Sequence, residues 1–569
     1  MKSIHFLSIL LISFCSYGFA RSGTKQYTDY SKSSHFEIRG ELNSRQIENI
    51  EVLGQVWGYV KYHHPVFVFD SINADFEFFE LLSKAYDALP SDRNLTLLKW
   101  INSLGCYTLI TYDTSDYTCI NDFSWINNES ILGAELSLEL RKLRFAERNE
   151  NKYVTPSEVH LLFNENAHEN LNINQFDIGY RILGVVRYWN IVACYSPNRN
   201  ITDKEWCDVL PEFIEKAANT DINNYELFAS LVSQLNDTHA YTPNTSILGS
   251  DMASLVVKFA EERMFITDTC SFGNVRFSIG DEIIAIDGVA PAGKLPLIDK
   301  YTSHSNRDAL IRDASYMAFL TKDSLMNIRY IHKGLVNEIT APTVSIGDFV
   351  GRIYRNLYPS QVETLRLLSD SIAYLNIGSL KSSQSAEIYD VIKNIRNLIV
   401  DLRTYPADYN AKTEFFGRYF VSKSAYFIKT LKPIAELPGF FQETHSLNSE
   451  NKNENAYKGN IIILVNAQTQ SMGEYFAMLL QSIPGTVTVG SCTAGADGNI
   501  SKIIFPYDIT SCITGIGAYY PDGTNAQRQG VKIDYMVYPT PEGMKAGKDE
   551  VLEKALTLIH ETKVAYNLQ

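Results

Sequence analysis

Two short stretches of this chain carry residue types suited to acyl-transfer chemistry. In Ile461–Gln481, the branched aliphatics Ile461 to Val465 have the pattern of a strand buried on both faces. Phe476, Leu479 and Leu480, with Glu474 in the first turn, read as a helix. Between them, in a turn of small and polar residues, sits Ser471. A serine at such a corner is held rigidly, and the N–H groups of the helix start point at whatever binds there. That suits a nucleophile whose oxyanion needs donors, although a serine capping an ordinary buried helix has the same pattern. The second stretch is Leu235-Asn-Asp-Thr-His-Ala-Tyr241, at the end of a helical pattern. His239 there suits a general base with the Thr238 hydroxyl beside it. A solvated histidine in a turn after the helix fits the same residues.

The elements that must position these groups fall into several domains, since a single core rarely exceeds about 250–300 residues and the chain has 569. A net charge of −14 excludes a basic face for nucleic acid. Lys2, the apolar run Ile4 to Phe14 and Gly18-Phe19-Ala20 predict a signal peptide over 1–20. The mature chain is then exported to a periplasmic or extracellular space. Residues 21–45 read as an extended leader and 46–165 as a helical region, in which 107–165 resists assignment. Residues 166–250 form a second helical region carrying His239. Val56–Tyr62 is echoed by Leu183–Tyr188, and Trp100–Leu104 by Leu231–Leu235, at offsets of 126 and 131 residues. From 251 to 345 short strands dominate, with turns at Asp287-Gly288, a hairpin signal, and at Lys333-Gly334. The region 346–569 alternates strands and helices, as in a largely parallel, buried sheet. The pairs Cys106/Cys119, Cys194/Cys207 and Cys492/Cys512 are close enough in sequence to close short loops. No C-x-x-C spacing exists, and His63 and His64 would face about 100° apart on a helix, so no metal site is expected.

Several motifs in order resemble the C-terminal processing (tail-specific) serine peptidases, the family that includes tricorn protease. Leu235–His239 resembles the family's L-x-D-x-H segment, and Gly280-Asp-Glu-Ile-Ile-Ala-Ile-Asp-Gly288 its PDZ signature. Asp370–Ile377 and Leu398–Arg403 are similar to its core strands. Ser471-Met-Gly-Glu474 is similar to its S-x-S/G-E nucleophile motif, and Gly490–Gly495 to its G-x-x-T-x-G. Pro521-Asp-Gly523 and Gly530–Asp534 resemble its closing segment.

The resemblance implies an α/β core of crotonase (ClpP-like) type, a PDZ-like β module and a helical N-terminal region. It makes Ser471 the acyl nucleophile. Where the bacterial branch carries a lysine base this chain has Ala496, so the tricorn-like branch applies, with His239 as base assisted by Thr238. That branch's distant glutamate corresponds to Gln527, which orients by hydrogen bonding but cannot offset charge on His239. The oxyanion hole would use the N–H groups of Ala407 and Met472. Ala407 stands in Asp401-Leu-Arg-Thr-Tyr-Pro-Ala-Asp408, where the family has a glycine pair. Arg403 and Asp401 read as an ion pair pinning the core strand. The function expected is an exported serine endopeptidase without metal or organic cofactor, cutting peptides or protein C-terminal regions, with the substrate's C-terminus bound in the PDZ-like groove. A peptidase-like binding protein with an impaired site and a small-molecule esterase are the alternatives.

Overall fold

The computed structural model describes residues 27–567 except 69–71, 149, 166–172, 269, 273–274, 350–362, 407 and 450–452. The expected signal peptide therefore lies outside the described residues, as does Ala407.

The C-terminal region is a six-stranded sheet whose strands run Leu365–Ser369, Ile372–Asn376, Asn397–Asp401, Asn460–Val465, Val487–Gly490 and Tyr535–Met536 in spatial order. The first pair is antiparallel and the rest are parallel. Alternate residues of each strand face opposite layers. Leu398, Val400, Ile461 and Ile463 pack with Phe415, Phe416 and Phe476 on one side. Ile399, Ile462 and Leu464 pack with Val551, Ala555 and Ile559 of the last helix on the other. Burial on both faces explains the unbroken aliphatic runs. Arg403 pairs with Asp401 at 2.7 Å and with Asp549 at 2.8 Å, tying the end of a central strand to the start of that last helix.

The N-terminal half holds two three-helix units, Ser44–His63, Ala74–Ala85 and Pro90–Ser103, then Ile178–Tyr195, Trp206–Ala218 and Asn224–Ser233. Asn43/Gln46 and Asn223/Glu226 close capping boxes at two of the helix starts. The corresponding positions Lys61 and Arg187 converge on one buried acid. Lys61 pairs with Glu165, and Arg187 lies 3.1 Å from Glu165 and 2.7 Å from Asp75. The described part of the leader is extended but not loose. Tyr30 and Phe36 are buried, and Ser34 donates through its hydroxyl and its N–H to Asp177, the cap of Ile178–Tyr195.

Residues 107–165 supply a helix, Glu129–Leu143, and a strand, Tyr117–Cys119, that joins a four-stranded sheet with Tyr426–Pro433, Phe440–Leu447 and Gly517–Tyr519. Two of those strands, Tyr426–Pro433 and Phe440–Leu447, come from the stretch between the core strands Asn397–Asp401 and Asn460–Val465.

Between the halves lies a seven-stranded β module. Lys333 and Gly334 both adopt positive φ and join Leu325–His332 to Leu335–Ser345 as a hairpin. Asp287 and Gly288 form an equally tight two-residue turn, closed by antiparallel pairing of Ile286 with Val289 through hydrogen bonds of 2.8 and 3.0 Å, but the ladder extends no further. Pro291 starts a short helix instead, and Glu282–Ile286 pairs with Arg263–Ile266 and Leu325–His332. Cys106, Cys119, Cys194, Cys207, Cys492 and Cys512 are all free thiols, so none of the three sequence-adjacent pairs is bonded.

Candidate active site

Ser471 caps the helix Met472–Gln481 with φ 54° and ψ −119°, a left-handed conformation that costs a non-glycine residue about 1–3 kcal/mol. Backbone and carboxylate bonds hold it there. Its N–H donates to Ala496 O at 2.9 Å and to Glu474 Oε2 at 3.2 Å. Glu474 is fully buried and also accepts from Thr493 Oγ1 (2.5 Å), Gly495 N (2.8 Å) and Ala496 N (3.0 Å). Burial raises its pKa even against these donors. Thr469, in the turn before the corner, donates its hydroxyl to Leu402 O at 3.0 Å, joining the corner to the neighbouring strand end. Met472 occupies the first helical position, where no intrahelical carbonyl reaches its N–H.

His239 follows the helix Asn224–Ser233 in a loop turned by Asn236 at φ 51°. Its Nδ1 lies 3.0 Å from Thr514 Oγ1. Asp237 is buried and collects the surrounding donors. Its Oδ1 accepts from His239 N (3.0 Å), Thr514 Oγ1 (2.9 Å) and Gln527 Nε2 (2.9 Å), and its Oδ2 from Thr514 N (2.7 Å).

These contacts assign the tautomer. The single proton of Thr514 goes to the carboxylate, so Thr514 Oγ1 accepts from Nδ1–H of His239. The neutral ring then carries its lone pair on Nε2. Burial holds the His239 pKa below the usual histidine range, opposed by the Asp237 charge and reinforced by Arg312.

Two expected roles fall to other residues. The hydroxyl on His239 belongs to Thr514, not Thr238. Thr238 Oγ1 donates to Ala494 O (3.1 Å) and accepts from Ser305 N (2.9 Å), strapping the loop to the core and to the β module. The charge behind that hydroxyl is Asp237, not the residue at 527. Gln527 donates to Asp237, and its own Oε1 is buried with no partner among the described residues. A glutamate at 527 would set two carboxylates in contact, so the amide suits this site. Asp237 was visible beside His239. Thr514 carried no local signal beyond its place in the strand Thr510–Thr514.

Ser471 and His239 are anchored on the same segment, through Ala496 O and through Thr238 to Ala494 O. Among the described residues no hydrogen bond joins the Ser471 hydroxyl to the His239 ring. From the β module, Ser303 Oγ accepts from Asp237 N and Ser305 Oγ from Thr238 N, each at 2.9 Å. Arg312 donates to Ala467 O (2.9 Å) and Gln470 Oε1 (2.7 Å), just before the nucleophile.

Residues 371–537 match the model of Peptidase family S41. This is the core of an S41 serine peptidase. No curated protein matches the chain in sequence. Among solved structures it is similar to mature CPAF complexed with lactacystin, with 14% identity over 68% of this chain and 98% of that one and a TM-score of 0.53. It is also similar to mature CPAF, with 13% identity over 68% and 97% and a TM-score of 0.51. At such identities the likeness concerns the fold. The S41 core is thus one part of a multidomain α/β protein with mixed sheets.

Proposed function

We propose that this S41 peptidase is an exported endopeptidase that cuts polypeptides through an acyl-enzyme on Ser471, with His239 as general base. The observation that carries the reading is the Asp237–Thr514–His239 relay, which leaves the Nε2 lone pair free for a proton. His239 takes the Ser471 proton as Oγ bonds to the scissile carbonyl carbon. The carbonyl electron pair moves to oxygen, with the N–H of Met472 at the helix start as one donor and that of Ala407 proposed as the second. The protonated ring then gives its proton to the leaving amine, and water, activated by the same ring, releases the acyl group. Asp237, two hydrogen bonds away, offsets the positive charge on the imidazole.

The β module supports a polypeptide substrate. Its strand Val257–Ala260 is at the sheet edge and faces the helix Arg307–Met317 across a groove of about 680 Å³. An extended peptide can pair with such an edge as an added strand, as in a PDZ-like domain. The groove is also lined by Asn466, Ala467 and Gln468, the turn that leads to Ser471. Lys258, Arg307 and Arg312 line it beside Glu261, Glu262 and Asp308, so the groove presents charges of both signs to a bound strand.

Incubation with a reduced, unstructured protein tests the reading against esterase and binding-protein functions. Internal cleavage that disappears in Ser471→Ala supports it. Hydrolysis of simple esters with the polypeptide left intact, or binding without cleavage, contradicts it.

A further inference from the structure

Three consecutive residues of the β module, Ser303, His304 and Ser305, are buried between the helices Leu295–Tyr301 and Arg307–Met317. The two serines hold the base loop, accepting from Asp237 N and Thr238 N. The helix Arg307–Met317 carries Arg312, which holds the turn before the nucleophile at Ala467 O and Gln470 Oε1. The β module thus grips each half of the catalytic pair with a different element. His304 stands where those two elements join.

Its ring is packed between two carboxylates. Nε2 lies 3.2 Å from Asp313 Oδ2, and Nδ1 lies 3.6 Å from Asp299 Oδ1. The contact with Asp313 is one of charge, because Nε2 makes no hydrogen bond among the described residues. Thr302 Oγ1, 3.5 Å from Nδ1, directs its own proton to Ile298 O. All three groups therefore face the ring nitrogens as acceptors, which suits an imidazolium protonated on both. Burial opposes that charge, but Asp299 and Asp313 outweigh it and raise the pKa above the usual histidine value. Asp313 also accepts from Nε and Nη2 of Arg312, at 2.7 and 3.1 Å. A chain of contacts thus runs from His304 through Asp313 and Arg312 to Gln470, the residue before Ser471.

We propose that His304 is a positioning residue for acyl transfer, which holds the base loop and the nucleophile turn in one register through Asp313 and Arg312. The inference rests on Ser471 and His239 being the reacting pair. The two residues belong to separate elements, so their spacing is set by whatever grips both. A misplacement of about 1 Å can cost on the order of 10² in rate. A link that fixes this spacing acts on kcat and leaves substrate binding alone.

His304→Gln keeps a polar side chain in the same place but removes the charge. With a short fluorogenic peptide, kcat should fall about 5–20-fold while KM stays within about twofold. Fluorophosphonate labelling of Ser471 should slow by the same factor. Asp313→Asn cuts the chain at the shared carboxylate and should show a comparable loss. It carries the test alone if His304→Gln does not fold. A double-mutant cycle separates positioning from general support of the fold. In Arg312→Ala the chain is already broken, so adding His304→Gln should cost less than about twofold more. An equal loss with and without Arg312→Ala, an unchanged kcat, or a loss confined to KM overturns the proposal. If Ser471→Ala or His239→Ala keeps full activity, the reading of the reacting pair fails as well. If both are inactive while His304→Gln and Asp313→Asn match wild type, only the role of His304 falls.

Discussion

Among the described residues, the bonds to the Ser471 backbone come from within 25 residues of it, at Glu474, Tyr475 and Ala496, and the strand, turn and helix around it are continuous in sequence. His239 is held the opposite way. Thr514 lies 275 residues downstream, and Gln527 meets Asp237 across 290. Further clamps arrive from Ser303 and Ser305 in the β module. The nucleophile corner is thus a local unit of the peptidase core. The base exists only where the second helical unit, the core and the β module meet. Changes in the base arm should therefore lower activity without unfolding the core, whereas changes at Glu474 should do both.

The largest separable effect is expected from Asp237→Asn. It removes the charge opposite the imidazole and forces the Thr514 proton to be shared differently, so kcat should fall by about 10³–10⁴ while substrate binding persists. Steady-state kinetics with a single peptide substrate reads both constants. Thr514→Val removes the hydroxyl between ring and carboxylate at nearly constant volume. A loss of about 10² is expected, and a ring nitrogen shift in the NMR spectrum should report a changed tautomer population. Gln527→Glu tests the comparison from the other side. It should place a second carboxylate on Asp237 and reduce stability by roughly 2–4 kcal/mol near neutral pH, measured by denaturant unfolding. Improved activity in that variant would show that the charge behind the relay is too weak as it stands.

The smallest effect is on the pH profile. Activity requires neutral His239, and burial with the Arg312 charge holds its pKa below the usual histidine value. The acid limb of kcat/KM should accordingly lie below that value. In Arg312→Gln the imidazole becomes easier to protonate, so the limb should move to higher pH by less than about one unit. The alkaline side should stay in place.

This contrast in how the two halves are held also explains what could be read in advance. Ser471 stood out because its strand, turn and helix are contiguous and each follows its own hydrophobic period. The sheet's central strands Ile372–Asn376, Asn397–Asp401 and Asn460–Val465 were legible for the same reason, whereas its outer strands Leu365–Ser369, Val487–Gly490 and Tyr535–Met536 were not. His239 was legible as a residue, but its partner was misassigned to the adjacent Thr238. Sequence adjacency favours the neighbouring hydroxyl, whereas the fold turns that hydroxyl toward Ala494 and Ser305. Thr514 reaches the ring only because the strand Thr510–Thr514 packs beside the loop after the second helical unit, a relation that no local period encodes. The short strand Tyr117–Cys119 was invisible for a similar reason, since it is defined by its pairing with Phe440–Leu447.

The pairing of Ser471 with His239 is tested most directly by the rate and site of covalent labelling with a fluorophosphonate between pH 5 and 9. One adduct per chain is predicted, mapped to Ser471, with an acid limb below the ordinary histidine pKa and with labelling lost in His239→Ala. An adduct on another residue, or undiminished labelling of Ser471 in His239→Ala, would contradict it.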